Sequence, residues 1–528
     1  MPDVVIIGAG IGGLACAIGL KRQLGLKDFT VYERASDVGG TWRGNIYPGA
    51  ASDTYVHFYS LSTDLNPNWD TVQGTQPEIQ NYWRGLSKKY DLYRHISFDT
   101  LVVSAEWNEK EQKYYIVTRD AEGIESITTA KILISAIGIL DIPHLPNISG
   151  ASSFKGEMFH SAQWNAAVDL RNKRVAVIGN GCSATQLVPA ITQDPTVQVT
   201  QFCRTPSFFL PEAQAPYNAA WKWAFRYIPF ALWLHRIRWY LWLEGSYLTI
   251  FRNQSSFTRK FITEYILKPW LTSRAPKEDL PNLIPNYDLG CKRLIFDTNY
   301  LPALHRPNVN LNWEGIQSIS EDGIVTKQGK KMPFDIIVWA TGFVADRYPL
   351  SVRGTEGKTL QEYYDTQGCP KAYKGTSVPS FPNFFLIAGP NTLTGHQSVL
   401  LFEEIQVNYI LKFVKPILAN IVSSFVVKPE ATDRYDEWVH SRLSRSVYMS
   451  CLSWYRKGGD GKISTIFPGS GFLFWWCLRR PTWSDYKITG AGTHWSRWVR
   501  QEALGRWFVR AVYAGLAVVL WFALTSTR

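Results

Sequence analysis

The seven cysteines of this 528-residue chain (Cys16, Cys182, Cys203, Cys291, Cys369, Cys451 and Cys477) are scattered, odd in number and without a C-x-x-C pair. That spacing speaks against a redox-active disulfide, a zinc site and a secreted disulfide framework, and predicts a chain held among reduced thiols. There is also no zinc-finger spacing, RNA-binding signature or compact lysine tract, which sets nucleic acid aside as a partner despite a formal net charge of +12. The positive excess suits acidic membrane surfaces or phosphorylated cofactors instead. No secretory leader is expected, because an apolar strand already begins at Val4. Without that route, Asn147-Ile148-Ser149 and Asn253-Gln254-Ser255 read as chance glycosylation matches. Charged residues are 19% and hydrophobic residues 45% of the chain, the balance of a cored protein rather than a disordered one.

What is present is a pair of glycine-rich turns. The first, VVIIGAGIGG, runs from Val4 to Gly13 and leads into a helical stretch, Leu14 to Leu24, and a strand, Thr30 to Tyr32, that ends at Glu33. Gly8, Gly10 and Gly13 permit a tight turn close to a pyrophosphate, the helix start faces the phosphates, and Glu33 can accept from ribose hydroxyls. The second, RVAVIGNGCSATQ, runs from Arg174 to Gln186. It keeps Gly179 and Gly181 but places Ala184 where the third glycine would stand, with Ser183, Thr185 and Gln186 completing the nucleotide-facing set. Its following strand, Val199 to Phe202, ends in Cys203-Arg204-Thr205 with no acid. An acid there would repel a 2′-phosphate, whereas Arg204 and Thr205 can hold one, so NADPH is expected rather than NADH. Two such turns about 170 residues apart suggest a chain that brings two dinucleotides together to pass a hydride.

Apolar strands recur downstream in DIIVWATGF (Asp335 to Phe343) and in FFLIAGPNT (Phe384 to Thr392), the latter followed by Gly395 and a helix from about Gln397. The fold class predicted is α/β, with two Rossmann-type dinucleotide-binding domains. The NADP domain (residues 151–209 and 271–331) is inserted into a discontinuous FAD domain (1–150 and 332–500). Residues 210–270 form a helical, aromatic-rich insert, with Trp221, Trp223, Trp233, Trp239 and Trp242 among Lys222, Arg226, Arg236 and Arg238. Residues 501–528 form a basic and hydrophobic C-terminal helix.

Between the two turns lies FKGEMFHSAQW, with Phe154, Gly156, His160 and Trp164. Near the N-terminus stands GGTWRGNIYPGAASD, with Gly40, Trp42, Tyr47, Pro48, Gly49 and Asp53. In this order around two nucleotide turns, the motifs resemble the class B flavoprotein monooxygenases, and within them the Baeyer–Villiger monooxygenases, from Val4 to about Tyr486. The first string departs from the family pattern after its tryptophan, where Asn165 replaces the usual Pro or Asp. The resemblance implies FAD on the first turn and NADPH on the second, with Gly40, Trp42, Tyr47 and Asp53 among the cofactor-binding residues. It makes GCKRLIFDTNY (Gly290 to Tyr300) the catalytic-arginine segment, with Arg293 central and Asp53 beside it. Lys292 would help Arg204 and Thr205 hold the 2′-phosphate. Trp454 would close over the nicotinamide, and His160 would couple the domains. Gly389 to Thr392, including Asn391, would turn N–H groups toward the flavin ring, with His396 left outside the catalytic set.

The activity implied is insertion of one oxygen atom from O2 beside a ketone carbonyl, by way of a C4a-peroxyflavin, to give an ester or lactone. Arg293 would stabilise the peroxide and the later oxyanion. The alternatives are a related flavin monooxygenase acting on nitrogen or sulfur or hydroxylating carbon, and a reductase or oxidase that oxygenates nothing. The insert reads as a membrane surface or as a cap on an apolar cavity, and both point to a bulky, lipophilic terpenoid or polyketide-like ketone. At the C-terminus the 14-residue apolar run Ala511 to Leu524 spans about 21 Å as a helix, against about 30 Å of bilayer core. Trp507, Phe508 and Val509 extend it, and Arg497, Arg500, Arg506 and Arg510 supply a cytosolic flank. An intracellular chain, membrane-associated on the cytosolic face, is expected; a helix packed on the body or on a partner subunit is the alternative. Oligomeric state is left open.

Overall fold

A computed structural model describes residues 2–211, 216–492 and 494–502. Two five-stranded parallel sheets form its frame. In the first, Val4–Ile7 lies between Phe29–Tyr32 and Ile132–Ser135, with Ile96–Ser97 and Phe384–Leu386 at the edges. In the second, Arg174–Ile178 lies between Gln198–Phe202 and Ile336–Trp339, with Val309–Asn312 and Glu157–His160 at the edges. All four residues of Val4–Ile7, Ile132–Ser135 and Ile336–Trp339 are buried. This is why the strands read as unbroken apolar runs: a parallel strand covered on both faces has no polar alternation.

Each central strand feeds a glycine turn and then a helix: α1 (Ile11–Leu24) in the first unit and α2 (Cys182–Ile191) in the second. The second sheet lies wholly within the interval between Ser135 and Phe384, so the second unit is an insertion into the first. One boundary is corrected by the pairing. Ile336–Trp339 belongs to the second sheet, so residues from 332 onward do not yet return to the first. A strand buried on both faces carries no mark of which sheet it joins.

The insert is helical, as expected. It contains α3 (Ala219–Tyr227), α4 (Ala231–Ser246), and a run of π-turns and short helices through Arg274. Further along come α5 (Val399–Leu418), which packs against α1, and α6 (Gly471–Leu478), which packs against α5. The two sheets keep separate cores, while Phe208, Phe251, Leu294, Leu393, Tyr448 and Tyr455 form a third cluster between them. That cluster joins the insert, the arginine segment and the loops after Phe384, and so fixes the site. Among the described residues no helix is long and apolar enough to cross a membrane. The apolar run Ala511 to Leu524 lies outside the described residues.

Candidate active site

The first glycine turn is shaped by close approach. A Cβ on Gly13 would stand 1.9 Å from the Gly8 carbonyl oxygen, and one on Gly40 would stand 2.7 Å from the Gly10 Cα. Two backbones therefore face each other where a pyrophosphate would lie. Gly10 caps α1 without a side-chain hydrogen bond, and the first turn holds no acid, so its free N–H groups suit an anion. Glu33 accepts from the Ala9 N–H at 2.7 Å and the Ala35 N–H at 2.9 Å. Each carboxylate oxygen keeps a lone pair for a ribose hydroxyl. Trp42 donates through Nε1 to the Tyr59 hydroxyl at 3.0 Å and walls the same cleft. The residues fit FAD.

The second turn is as tight at its first glycine, where a Cβ on Gly179 would stand 2.3 Å from the Ala340 carbonyl oxygen, but roomier beyond it, with open space at Gly181. Gly179 ends its strand, and Gly181 caps α2, again without a side-chain bond or a first-turn acid. Ser183 is half-buried in the first helical turn, and Ala184 is fully buried. Tyr47, Thr185 and Gln186, which the sequence reading gave to the cofactor, spend their side chains on the protein. Thr185 donates to the Cys182 carbonyl at 3.1 Å. Tyr47 donates to Gln186 Oε1 at 2.7 Å, while Gln186 Nε2 donates to the Ala51 carbonyl at 3.0 Å. These bonds clasp the 47–51 loop of the first unit onto α2 of the second.

At the tip of Gln198–Phe202, Arg204 is exposed and the Thr205 carbonyl accepts from Asn180 at 2.6 Å. Lys292 Nζ sits 4.5 Å over the Tyr287 ring. Burial lowers its pKa, and so does the Arg204 charge nearby. Neither cation forms a salt bridge with an acid among the described residues. Two adjacent cations left uncompensated fit a dianionic 2′-phosphate, and hence NADPH.

Between the two turns lies the charge centre. Arg293 holds Asp53 through two bonds, Nε to Oδ2 at 3.0 Å and Nη2 to Oδ1 at 2.6 Å, with the arginine 29% and the aspartate 22% exposed. Burial alone would lower the arginine pKa, but Asp53 outweighs it and drives the pKa above its ordinary value. The guanidinium is therefore permanently charged and fixed in plane. Around it stand groups the sequence reading did not weigh as part of the site. Cys182 Sγ lies 3.8 Å from Asp53 Oδ2, its thiol pushed to about 12 by burial and by that carboxylate. The Tyr455 hydroxyl, next to Trp454, is raised by burial and restrained by Arg293. His396 is pushed down to about 3 by burial and by the Arg293 charge. Its Nδ1 pairs with Thr394 at 3.0 Å while its buried Nε2 has no partner. His396 is therefore a neutral ring in the arginine's field, two residues ahead of Ser398, the N-cap of α5.

Two further expectations change, for Asn391 and for the cysteines. The backbone N–H of Asn391, expected to face the flavin ring, donates to the Ser464 carbonyl at 2.7 Å, and its side-chain amide donates to the Ile463 and Ile466 carbonyls, both at 3.0 Å. Trp454 is 46% exposed and stacks obliquely on Tyr455 at 4.7 Å. The expectation of reduced thiols meets one exception: Cys291 and Cys451 are joined, linking the arginine segment to the loop that carries Trp454. The two stand 160 residues apart, and no local spacing announces such a pair. His160 ends an edge strand of the second sheet, buried, its Nδ1 accepting from the Ala162 N–H at 3.1 Å. Asn165 accepts from the Ala167 N–H at 3.1 Å, a local turn bond.

Two dinucleotide turns facing a shared guanidinium–carboxylate centre define a flavoprotein monooxygenase of the two-nucleotide class. The family pattern described as flavin-binding monooxygenase-like matches residues 2–217. A Baeyer–Villiger monooxygenase of Pseudomonas aeruginosa is 36% identical, covering 92% of this chain and 91% of that protein. The FAD-binding monooxygenase ktnD of Aspergillus niger is 32% identical, covering 99% and 88%. The NADP+-bound cyclohexanone monooxygenase of Rhodococcus sp. Phi1 superposes with a TM-score of 0.82 at 26% identity, covering 93% of this chain and all of that one. The chain belongs to the Baeyer–Villiger monooxygenases, a family of class B flavoprotein monooxygenases. It is accordingly an oxidoreductase that uses FAD and NADPH.

Proposed function

We propose that this enzyme inserts one oxygen atom from O2 next to the carbonyl of a bulky, lipophilic ketone, of terpenoid or polyketide kind, giving an ester or lactone. The Arg293–Asp53 pair carries the reading. Bound flavin supplies hydride acceptance from NADPH and activation of oxygen. The chain supplies the field. Arg293 presents a fixed positive charge to the oxygen nucleophile and then to the oxyanion left when a carbonyl is attacked. Asp53 keeps the guanidinium in one plane, and the neutral His396 leaves that charge undivided. Enzymes that oxygenate nitrogen or sulfur need a protonated, electrophilic oxygen donor, which a permanently charged guanidinium disfavours. Tyr247 and Phe251 of the insert lie 5.0 and 5.6 Å from the His396 ring, so the insert brings aromatic side chains to the site, which favours a lipophilic substrate class.

The test is NADPH consumption with cyclic and polycyclic ketones, an amine and a thioether, scored by the mass gain of one oxygen. Ketone is expected to be oxygenated in preference to the other two; preferential gain on amine or thioether would favour the related N- or S-oxygenating activity. Arg293→Ala should still take up hydride while oxygenated product falls by about 10²–10³-fold. Normal product formation by that variant would remove the arginine from the chemistry.

A further inference from the structure

Most of the exposed large apolar side chains among the described residues lie in the helical insert or on α6. On α4 they form one stripe: Leu234, Leu241 and, just past its end, Leu248 are spaced by seven and each more than half exposed. Arg238 lies on the same stripe, its guanidinium 4.6 Å from the Trp239 ring centre. At the end of α4, Glu244 Oε1 accepts from the Gly471 N–H at 2.7 Å, which seats the start of α6 beside that stripe. Helix α6 buries Gly471, Phe474 and Leu478 and turns out Phe472, Trp475 and Trp476, whose ring centres are 5.6 to 6.4 Å apart. Arg479 covers Trp476 at 3.2 Å. Scattered apolar side chains are ordinary on a protein surface, but a contiguous face of this kind marks an interface.

We propose that this face of α4 and α6 docks the enzyme, without crossing, onto a bilayer with anionic headgroups. Aromatic rings and leucines interleaved with arginine are the composition that settles at a lipid–water boundary. Of the eight Lys/Arg from Ala219 to Trp270, Arg236 and Arg259 are buried and Lys222 and Lys268 are paired with Asp70 and Glu264. Arg226, Arg238, Arg252 and Lys260 stay exposed, while Glu244, the other acid of the stretch, is held inward by Gly471 and Gln397. A cationic rim repels another cationic surface and attracts an acidic one. That argues against two other occupants. The segment 503–528 holds Arg506, Arg510 and Arg528 and no acid, and a second copy would present the same rim. The segment and the face instead suit one anionic plane together. The chain also leaves nearby, because Trp483, five residues after α6, packs against Trp495 at 5.0 Å and Trp498 at 6.1 Å. Glu244 also accepts from Gln397, the neighbour of His396, at 2.7 Å. The docked face therefore adjoins the active site, where a lipophilic ketone could be drawn from the bilayer. The docking itself does not depend on the reaction proposed above.

The test is co-sedimentation of the full-length holoenzyme with vesicles of phosphatidylcholine and phosphatidylserine in equal parts, against phosphatidylcholine alone, at low and high salt. The wild type should sediment with the mixed vesicles and lose most of that binding in salt or with the neutral lipid. In the full chain, the triple variant Phe472→Ser, Trp475→Ser, Trp476→Ser should bind at least about tenfold more weakly at unchanged flavin content and NADPH oxidation. The pair Leu234→Ser, Leu241→Ser, on the other helix, should weaken binding in the same sense and serves if the triple variant does not fold. Full-length protein with Val518→Glu and Leu520→Glu should keep the part of binding that the triple variant loses. Wild type that stays in solution, or variants on both helices that sediment like it, would overturn the proposal. So would a wild-type dimer that the triple variant converts to monomer.

Discussion

At the third position of the glycine turn, the first unit has Gly13, where a methyl group would collide with Gly8 at 1.9 Å, and the second has Ala184, whose methyl is buried without conflict. At the tip of the next strand, the first unit has Glu33, bonded to two backbone N–H groups, and the second has Arg204 with Lys292 near it. Helix start and the order of the other four strands are the same, and only one edge differs: Phe384–Leu386 comes last in its sheet and Glu157–His160 first in its own. The comparison teaches that the scaffold provides a helix N-terminus for any pyrophosphate, while one position sets how close the backbone comes and another sets which ribose is accepted.

The sharpest way to break that comparison is Gly13→Ala. If close approach is what the first unit needs, this variant should purify without yellow colour, its flavin absorbance lost almost entirely; retained flavin would show that Gly13 is as free to change as Ala184. A second difference concerns buried charge. In the first unit Glu403 on α5 lies against Gly12 of α1, its pKa raised to about 8 by burial and then by Glu404. A carboxyl with a raised folded-state pKa binds its proton more tightly folded than unfolded. Its burial therefore costs nothing below about pH 4, and the cost develops as pH rises and is complete above about 8. The holoenzyme's melting temperature should fall across that window, and Glu403→Gln should flatten the fall. A wild type and variant with parallel pH profiles would count against the buried acid. Third in size, Arg204→Ala removes one charge-assisted bond to the 2′-phosphate, so KM for NADPH should rise about 10–100-fold while that for NADH stays put. An equal rise for both nucleotides would mean that Arg204 does not read the phosphate.

What the sequence carried, it carried locally. Both turns, Glu33 and the Arg204 tip are short-range patterns whose physics is complete within a few residues. The Arg293–Asp53 pair spans 240 residues and was reached only through resemblance, because nothing in either segment alone names the other. A separation of 160 residues hid the Cys291–Cys451 link in the same way. Tyr47, Gln186 and Asn391 show a different blind spot. Their motifs were recognised, but a motif does not say which protein groups a hydroxyl or amide also bonds, and here each side chain ties two segments of the chain together. His396 was underweighted because a histidine near a helix start has a bland explanation; its placement beside Arg293 appears only when the chain closes on itself.

The smallest test works in the opposite direction from Gly13→Ala. Ala184 lies in the first turns of α2, buried, and no ligand contact is required to explain a methyl there: it favours the helix over glycine by about 1 kcal/mol. Ala184→Gly should therefore lower the melting temperature slightly and leave KM for NADPH within about twofold, since 1.4 kcal/mol is needed for a tenfold change. If KM falls well beyond that, the second turn was being held away from its nucleotide by the methyl, and the two units would differ by distance to the pyrophosphate as much as by charge. If stability alone responds, the roomier turn is a helix-packing choice, and the discrimination between nucleotides rests on Glu33 and Arg204.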